Sequence, residues 1–140
     1  MATPSKSVLL DTSMVVRHFR DSNAMTSHFA AFEELYLPQT ALGELYAGAF
    51  RSNRPEKNIE QIERFLDAVD VLLPDESTPE LYGRISAQLA QAGTPIPQND
   101  IWIAAMRCNP ICRSPRAMLT FAMSSACSFC IGERACPTKS

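Results

Sequence analysis

The stretch Ser7-Val8-Leu9-Leu10-Asp11-Thr12-Ser13 decides the fold of this chain. Its apolar run has the length and composition of a strand that is buried on both faces, and it ends in a carboxylate followed by two hydroxyl residues. This order is typical of a parallel strand that leads directly into a helix. Asp11 is therefore predicted to lie at the carboxyl end of a strand, where open α/β sheets place their chemistry. We expect Thr12 or Ser13 to cap the following helix.

Short apolar segments alternate with longer amphipathic ones along the rest of the domain. Leu35-Tyr36-Leu37 and Val71-Leu72-Leu73 are each stopped by a proline and are predicted to be strands. Helices with apolar residues at helical spacing are predicted between successive strands. One is predicted over residues 25–35, after the first strand, and another from Asn58 onward, after the second. The alternation predicts a three-layer α/β/α domain with a short parallel sheet.

Two further acids lie in apolar, helix-like surroundings. Glu44 follows the second predicted strand within Thr40-Ala41-Leu42-Gly43-Glu44-Leu45, and Asp100 opens the helix Asn99-Asp100-Ile101-Trp102-Ile103. Right-handed crossovers put the strand ends and the helix starts on one edge of the sheet. Asp11, Glu44 and Asp100 are therefore predicted to converge in one site.

Length and composition indicate one ordinary globular domain. The 140 residues suffice to bury a core without metals or disulfides, and a net charge of -2 argues against a broadly cationic nucleic-acid binder. The sequence has no apolar run of the roughly 20 residues that a membrane span needs. Because its first residues lack the apolar core of a secretory signal, we expect a cytoplasmic protein with no membrane partner.

The composition changes abruptly near Met106. Residues 1–106 carry 8 Lys+Arg and 14 Asp+Glu, whereas residues 107–140 carry 5 and 1, together with all five cysteines. We therefore predict two segments. Residues 1–106 form the folded domain, and residues 107–140 form an atypical tail that is rich in cysteine and arginine.

The acid motifs, in this order and on these elements, resemble the PIN-domain ribonucleases, and among them the VapC-type toxins of toxin–antitoxin pairs. The resemblance covers residues 7–106, with about 33 and 56 residues between successive acids. It implies a PIN-like fold and a Mg²⁺- or Mn²⁺-dependent endoribonuclease that cuts RNA such as tRNA. It also implies a homodimer and a cognate antitoxin as the protein partner.

The resemblance implies a role for each acid, and the chemistry is consistent with these roles. Asp11 and Asp100 would bind the metal, since hard cations prefer carboxylate oxygens, and the metal would activate a water for attack on a phosphate. Glu44 would orient or deprotonate that water. Thr12 or Ser13 would hold the Asp11 carboxylate, and Asn99 would contact a phosphate or a metal-bound water. Taken singly, the two aspartates could instead be helix caps, and Glu44 could be a solvated helix residue.

The tail departs from the pattern of the family. In that pattern the helix of the third acid is followed by a strand whose Asp completes a four-acid site, and then by a last strand, whereas this chain continues with Arg107-Cys108-Asn109-Pro110. We therefore expect the C-terminal strands to be missing. A frame shift is our hypothesis for the break, because codons for Met106 to Glu133 can be chosen so that the neighbouring frame encodes ALQSDLPLATRDAHFRNVERLQLLHW and then a stop. Methionine has a single codon, so part of this match is not a free choice: the first two bases of the Met118 codon end the Asp codon of "RDA" in the neighbouring frame, and its last base begins the Ala codon.

Two alternatives to an active nuclease remain. Without the fourth acid, the domain could be a catalytically impaired remnant that binds only an antitoxin or RNA. The cysteine pairs Cys108/Cys112 and Cys127/Cys130 could instead hold a structural zinc ion, although no glycine-rich knuckle accompanies them.

Overall fold

The computed structural model describes residues 6–108 and 118–120. Strands and helices alternate along this part of the chain, as the sequence predicts. In order they are β1 (Lys6–Leu9), α1 (Thr12–Arg20), α2 (Ser22–Phe29), β2 (Glu34–Pro38), α3 (Gln39–Phe50), α4 (Pro55–Leu66), β3 (Asp70–Leu72), α5 (Thr78–Gln91), α6 (Gln98–Cys108) and β4 (Met118–Thr120).

The four described strands form one parallel sheet in the order β3-β2-β1-β4. This arrangement confirms the predicted α/β fold with a short parallel sheet. The strand order reverses beside β1, since β2 and β3 lie on one side of it and β4 on the other. Clefts in open α/β sheets form at such a reversal, outside the carboxyl ends of the strands. Asp11 follows β1 and therefore lies at this point of the sheet.

One of the C-terminal strands that were expected to be missing is present in short form. The three residues of β4 pair with β1, from Lys6 opposite Met118 to Val8 opposite Thr120. The physical reason is that the outer edge of β1 offers unpaired backbone N–H and C=O groups, which any extended segment can pair.

Two helix boundaries differ from the predictions. Helix α2 ends at Phe29 and does not continue to residue 35, because the chain turns through residues 30–33 to bring β2 into register with β1. Helix α4 begins at Pro55, three residues before the predicted start. Proline is favoured there, since the first helical N–H has no partner within the helix.

Two apolar clusters hold the helices in place. The larger cluster surrounds the fully buried residues Val8, Leu9 and Leu10 of the β1 segment and includes Ile103 of α6. The smaller cluster joins α5 to α6 through residues such as Leu89 and Ala105. Together they fix the start of α6 beside the end of β1. No helix in the described part of the chain is long and apolar enough to cross a membrane.

Candidate active site

Asp11 is buried between the end of β1 and the start of α1. Its Oδ1 accepts hydrogen bonds from the backbone N–H of Met14 and the hydroxyl of Ser13, each at 2.8 Å. Asp11 is thus the N-cap of α1, and the prediction that Thr12 or Ser13 caps this helix is wrong. The Asp11 carboxylate is the cap because one of its oxygens can accept the hydrogen bonds from both Met14 and Ser13. Its Oδ2 accepts no hydrogen bond from the described residues, so a cap and a metal ligand are compatible roles for Asp11.

Glu44 lies in α3 and is held from two sides. The Thr12 hydroxyl donates to its Oε2, and the Asn99 side-chain amide donates to its Oε1. These two bonds join three helices, α1, α3 and α6, at one carboxylate. Glu44 is therefore half-buried and anchored, and it is not a freely solvated helix residue.

Asp100 lies in the first turn of α6 and is half-buried. It is inside the helix, which starts at Gln98, so it is not the helix cap. Its pKa is raised above the ordinary value by burial first, and then by the negative charges of Glu44 and Asp11. Asp100 therefore lies within electrostatic range of both Glu44 and Asp11. The bonds of Thr12 and Asn99 to Glu44 bring the sequence neighbours of Asp11 and Asp100 to the same carboxylate.

The donor set fits a hard divalent cation. Among the described residues, no lysine or arginine forms an ion pair with Asp11, Glu44 or Asp100. The Asp100 carboxylate and Oδ2 of Asp11 accept no hydrogen bond from this part of the chain. Mg²⁺ is commonly held by one or two carboxylates and keeps several waters.

The three acids do not form a closed cage. Within residues 6–108, no three His, Cys, Asp or Glu side chains are placed so that they could hold a metal ion together. Glu44 is kept in place by Thr12 and Asn99, and like charges oppose a closer approach of the others. A metal site here would therefore rest on Asp11 and Asp100, with water completing the coordination.

The polar neighbours of the acids have partners that the sequence did not specify. Ser13 holds Asp11, as predicted for Thr12 or Ser13, and Thr12 binds Glu44 instead. Asn99 also binds Glu44, and its contact with a phosphate or a metal-bound water stays a prediction. The only sequence signal for its bond to Glu44 is the position of Asn99 beside Asp100 at a helix start. Of the predicted zinc ligands, Cys108 is buried at the end of α6, and the other cysteines lie outside the described residues.

Comparison with known proteins adds an independent line of evidence. The model of the family described as "PIN domain" matches residues 8–106. The chain is 31% identical over 100 residues to "Ribonuclease VapC1" of Haemophilus influenzae, covering 69% of this chain and 75% of that protein. It is 31% identical over 98 residues to "tRNA(fMet)-specific endonuclease VapC" of Shigella flexneri, covering 69% and 74%. The crystal structure of DNA-bound VapBC from Salmonella typhimurium aligns with a TM-score of 0.67 at 25% identity, covering 84% of this chain and 98% of that one.

Proposed function

Since the chain belongs to the PIN-domain family and to its VapC branch, we propose that it is the endoribonuclease toxin of a type II toxin–antitoxin pair. The observation that carries this proposal is that Thr12 and Asn99, the sequence neighbours of Asp11 and Asp100, both bind Glu44 beside the reversal point of a parallel sheet. One relative is named for a tRNA, so tRNA is the first substrate to test.

Mg²⁺ or Mn²⁺ is the proposed cofactor, with Asp11 and Asp100 as its protein ligands. A divalent cation in this place would supply an activated water and stabilise charge on the phosphate. Glu44 would orient that water or accept its proton, because each carboxylate oxygen has a second lone pair beyond the bond from Thr12 or Asn99. The roles of Thr12 and Asn99 are then to keep Glu44 in one orientation.

The proposed partners follow from the same family. A VapBC complex among the structural neighbours supports an antitoxin as the protein partner. The chain is proposed to form a homodimer and to act in the cytoplasm. Two exposed apolar side chains, Phe50 and Leu73, are 67% and 61% accessible and offer surface for a second copy.

The tail is proposed to be out of frame from about residue 107. The family match ends at residue 106, where the composition changes, and this coincidence supports the proposal. The fourth acid would then be absent, which lowers metal affinity and makes a second metal ion less favourable. The second candidate function, a remnant that binds an antitoxin or RNA without cutting it, follows from this loss alone.

RNA cleavage by the purified chain tests the proposal. Total RNA and tRNA are incubated with the chain in Mg²⁺ or in EDTA, and cleavage is expected only with Mg²⁺. Glu44→Gln should abolish it, whereas Glu76→Gln, a matched change at an exposed glutamate, should not. Cleavage that persists in EDTA would contradict the metal-dependent mechanism. RNA or antitoxin binding without any cleavage would favour the binding remnant.

A further inference from the structure

A groove leads away from the acid site between α1, α3 and α4. Its inner part has a volume of about 420 Å³ and begins at Thr12 and Glu44. Its outer part, of about 570 Å³, shares Phe19, Asn58 and Gln61 with the inner part. The two parts are therefore continuous, and we call them together the α4 groove.

The α4 groove concentrates positive charge in a domain that is otherwise acidic. Of the nine lysines and arginines within residues 6–108, four line it, against two of the fourteen acids. The four are Arg20, Arg54, Lys57 and Arg64. Within the described part of the chain, Arg64 is the only one of the four that forms an ion pair, with Glu60 on the exposed face of α4. Arg20, Arg54 and Lys57 form no ion pair with these residues.

The position of these cations suits a polyanion that has to reach three carboxylates. The acid site repels phosphates, so substrate binding needs compensating positive charge nearby. Lys57 and Arg64 are separated by about 10 Å along α4, at 1.5 Å per residue. Asn58 and Gln61 lie between them and add uncharged polar groups, which commonly contact sugars and phosphates.

We propose that the α4 groove holds the phosphodiester backbone of the RNA strand that adjoins the scissile phosphate. Arg54 and Lys57 contact phosphates in its outer part, and the strand runs past Asn58 and Gln61 to Glu44. This assignment rests on the proposed ribonuclease function, and it adds the residues that guide the strand. The inner part is more apolar and packs against the nucleotide next to the cut.

Salt-dependent binding in EDTA tests the α4 groove separately from cleavage. A fluorescent single-stranded RNA is titrated with the wild-type chain at several salt concentrations, and log K is plotted against log [salt]. Each lost phosphate contact should reduce the slope by about 0.7, so Arg54→Gln/Lys57→Gln should reduce it by about 1.4. Lys57→Arg should retain the wild-type slope. Arg84→Gln, which removes an exposed cation on α5, should leave both slope and affinity unchanged.

The outcomes separate this inference from the proposed function. A reduced slope in the double variant, without cleavage by the wild-type chain, would support the groove and contradict the nuclease. An unchanged slope, or no RNA binding by the wild-type chain, overturns the proposal for the groove even if cleavage occurs. If the double variant binds RNA normally but no longer binds the protein encoded by the neighbouring gene, the groove is a protein interface and the RNA proposal is also overturned.

Discussion

The two roles of Asp11 can be separated by two substitutions at this one position. Oδ1 caps α1, whereas Oδ2 accepts no hydrogen bond from the described residues and is the proposed metal ligand. Asp11→Asn retains an oxygen that can accept from Met14 and Ser13, but it removes the charge. Asp11→Ala removes both the accepting oxygen and the charge. The two variants should therefore lose cleavage alike and differ in stability.

The magnitudes follow from the contacts. Replacing an Asp cap by Ala typically costs about 1 kcal/mol, within a range of roughly 0.5–2 kcal/mol. The cost of Asp11→Ala should lie in the upper part of that range, because the buried bond from Met14 and the part-buried bond from Ser13 are both lost. Asn is as good a cap as Asp, so Asp11→Asn should be within a few tenths of a kcal/mol of wild type. Asp11→Asn also removes one of the negative charges that raise the pKa of Asp100, and this relief of repulsion offsets any loss of unfolding free energy at the cap. For cleavage, a metal ion contributes several kcal/mol, and about 3 kcal/mol corresponds to roughly 100-fold in rate.

The assay combines urea unfolding in EDTA, followed by far-UV circular dichroism at pH 7, with initial cleavage rates in Mg²⁺. We expect the order of stability wild type ≈ Asp11→Asn > Asp11→Ala, and at least about 100-fold slower cleavage for both variants. Wild-type cleavage by Asp11→Asn would refute the metal role. Equal destabilisation of the two variants would refute the assignment of the cap to Oδ1.

Three further predictions concern Asp100, Asn99 and the tail. Because burial and two like charges raise the pKa of Asp100, its contribution to stability in EDTA is present below the ordinary value of 3.8 and is lost as the pH rises through the raised pKa. Asp100→Asn should therefore melt at a higher temperature at pH 7 yet cleave poorly, and an unchanged melting temperature would contradict this reasoning. Asn99→Ala should lower the free energy of unfolding by about 1 kcal/mol, because it removes a hydrogen-bond donor from Glu44. Asn99→Asp should lower the free energy of unfolding further in EDTA, and addition of Mg²⁺ should restore more of it than in Asn99→Ala. The same response to Mg²⁺ in both Asn99 variants would argue against a metal beside Glu44. Replacing residues 107–140 by the neighbouring-frame sequence should raise the melting temperature, since a longer strand would replace the three-residue β4 beside β1. An unchanged melting temperature would count against the frame shift.

Local pattern was sufficient for the elements that carry the acids. The apolar run before Asp11 predicts β1, and a proline marks the end of each of the next two strands, since Pro38 is the last residue of β2 and Pro74 lies two residues after β3. Right-handed crossovers predict that the three acids share one edge of the sheet. These signals are local or topological, so a single sequence contains them.

The hydrogen-bond partners of the site side chains could not be predicted from local sequence patterns. The bonds from Thr12 and Asn99 to Glu44 span 32 and 55 residues, and no short-range pattern encodes them. The end of α2 was misplaced for a similar reason, because pairing of β2 with β1 overrides helix propensity after Phe29. The short strand β4 likewise pairs with a segment more than 100 residues away, Lys6 to Val8 of β1.

The most direct test of the central claim is the rate of metal-dependent RNA cleavage by this chain, measured beside the version whose tail is restored to the neighbouring frame. If Asp11, Glu44 and Asp100 form the core of a ribonuclease site that lacks its fourth acid, the restored chain should cut faster at limiting Mg²⁺. Both activities should then disappear with EDTA and with Asp11→Asn. Cleavage that survives both treatments, or no cleavage by either chain, would contradict the account.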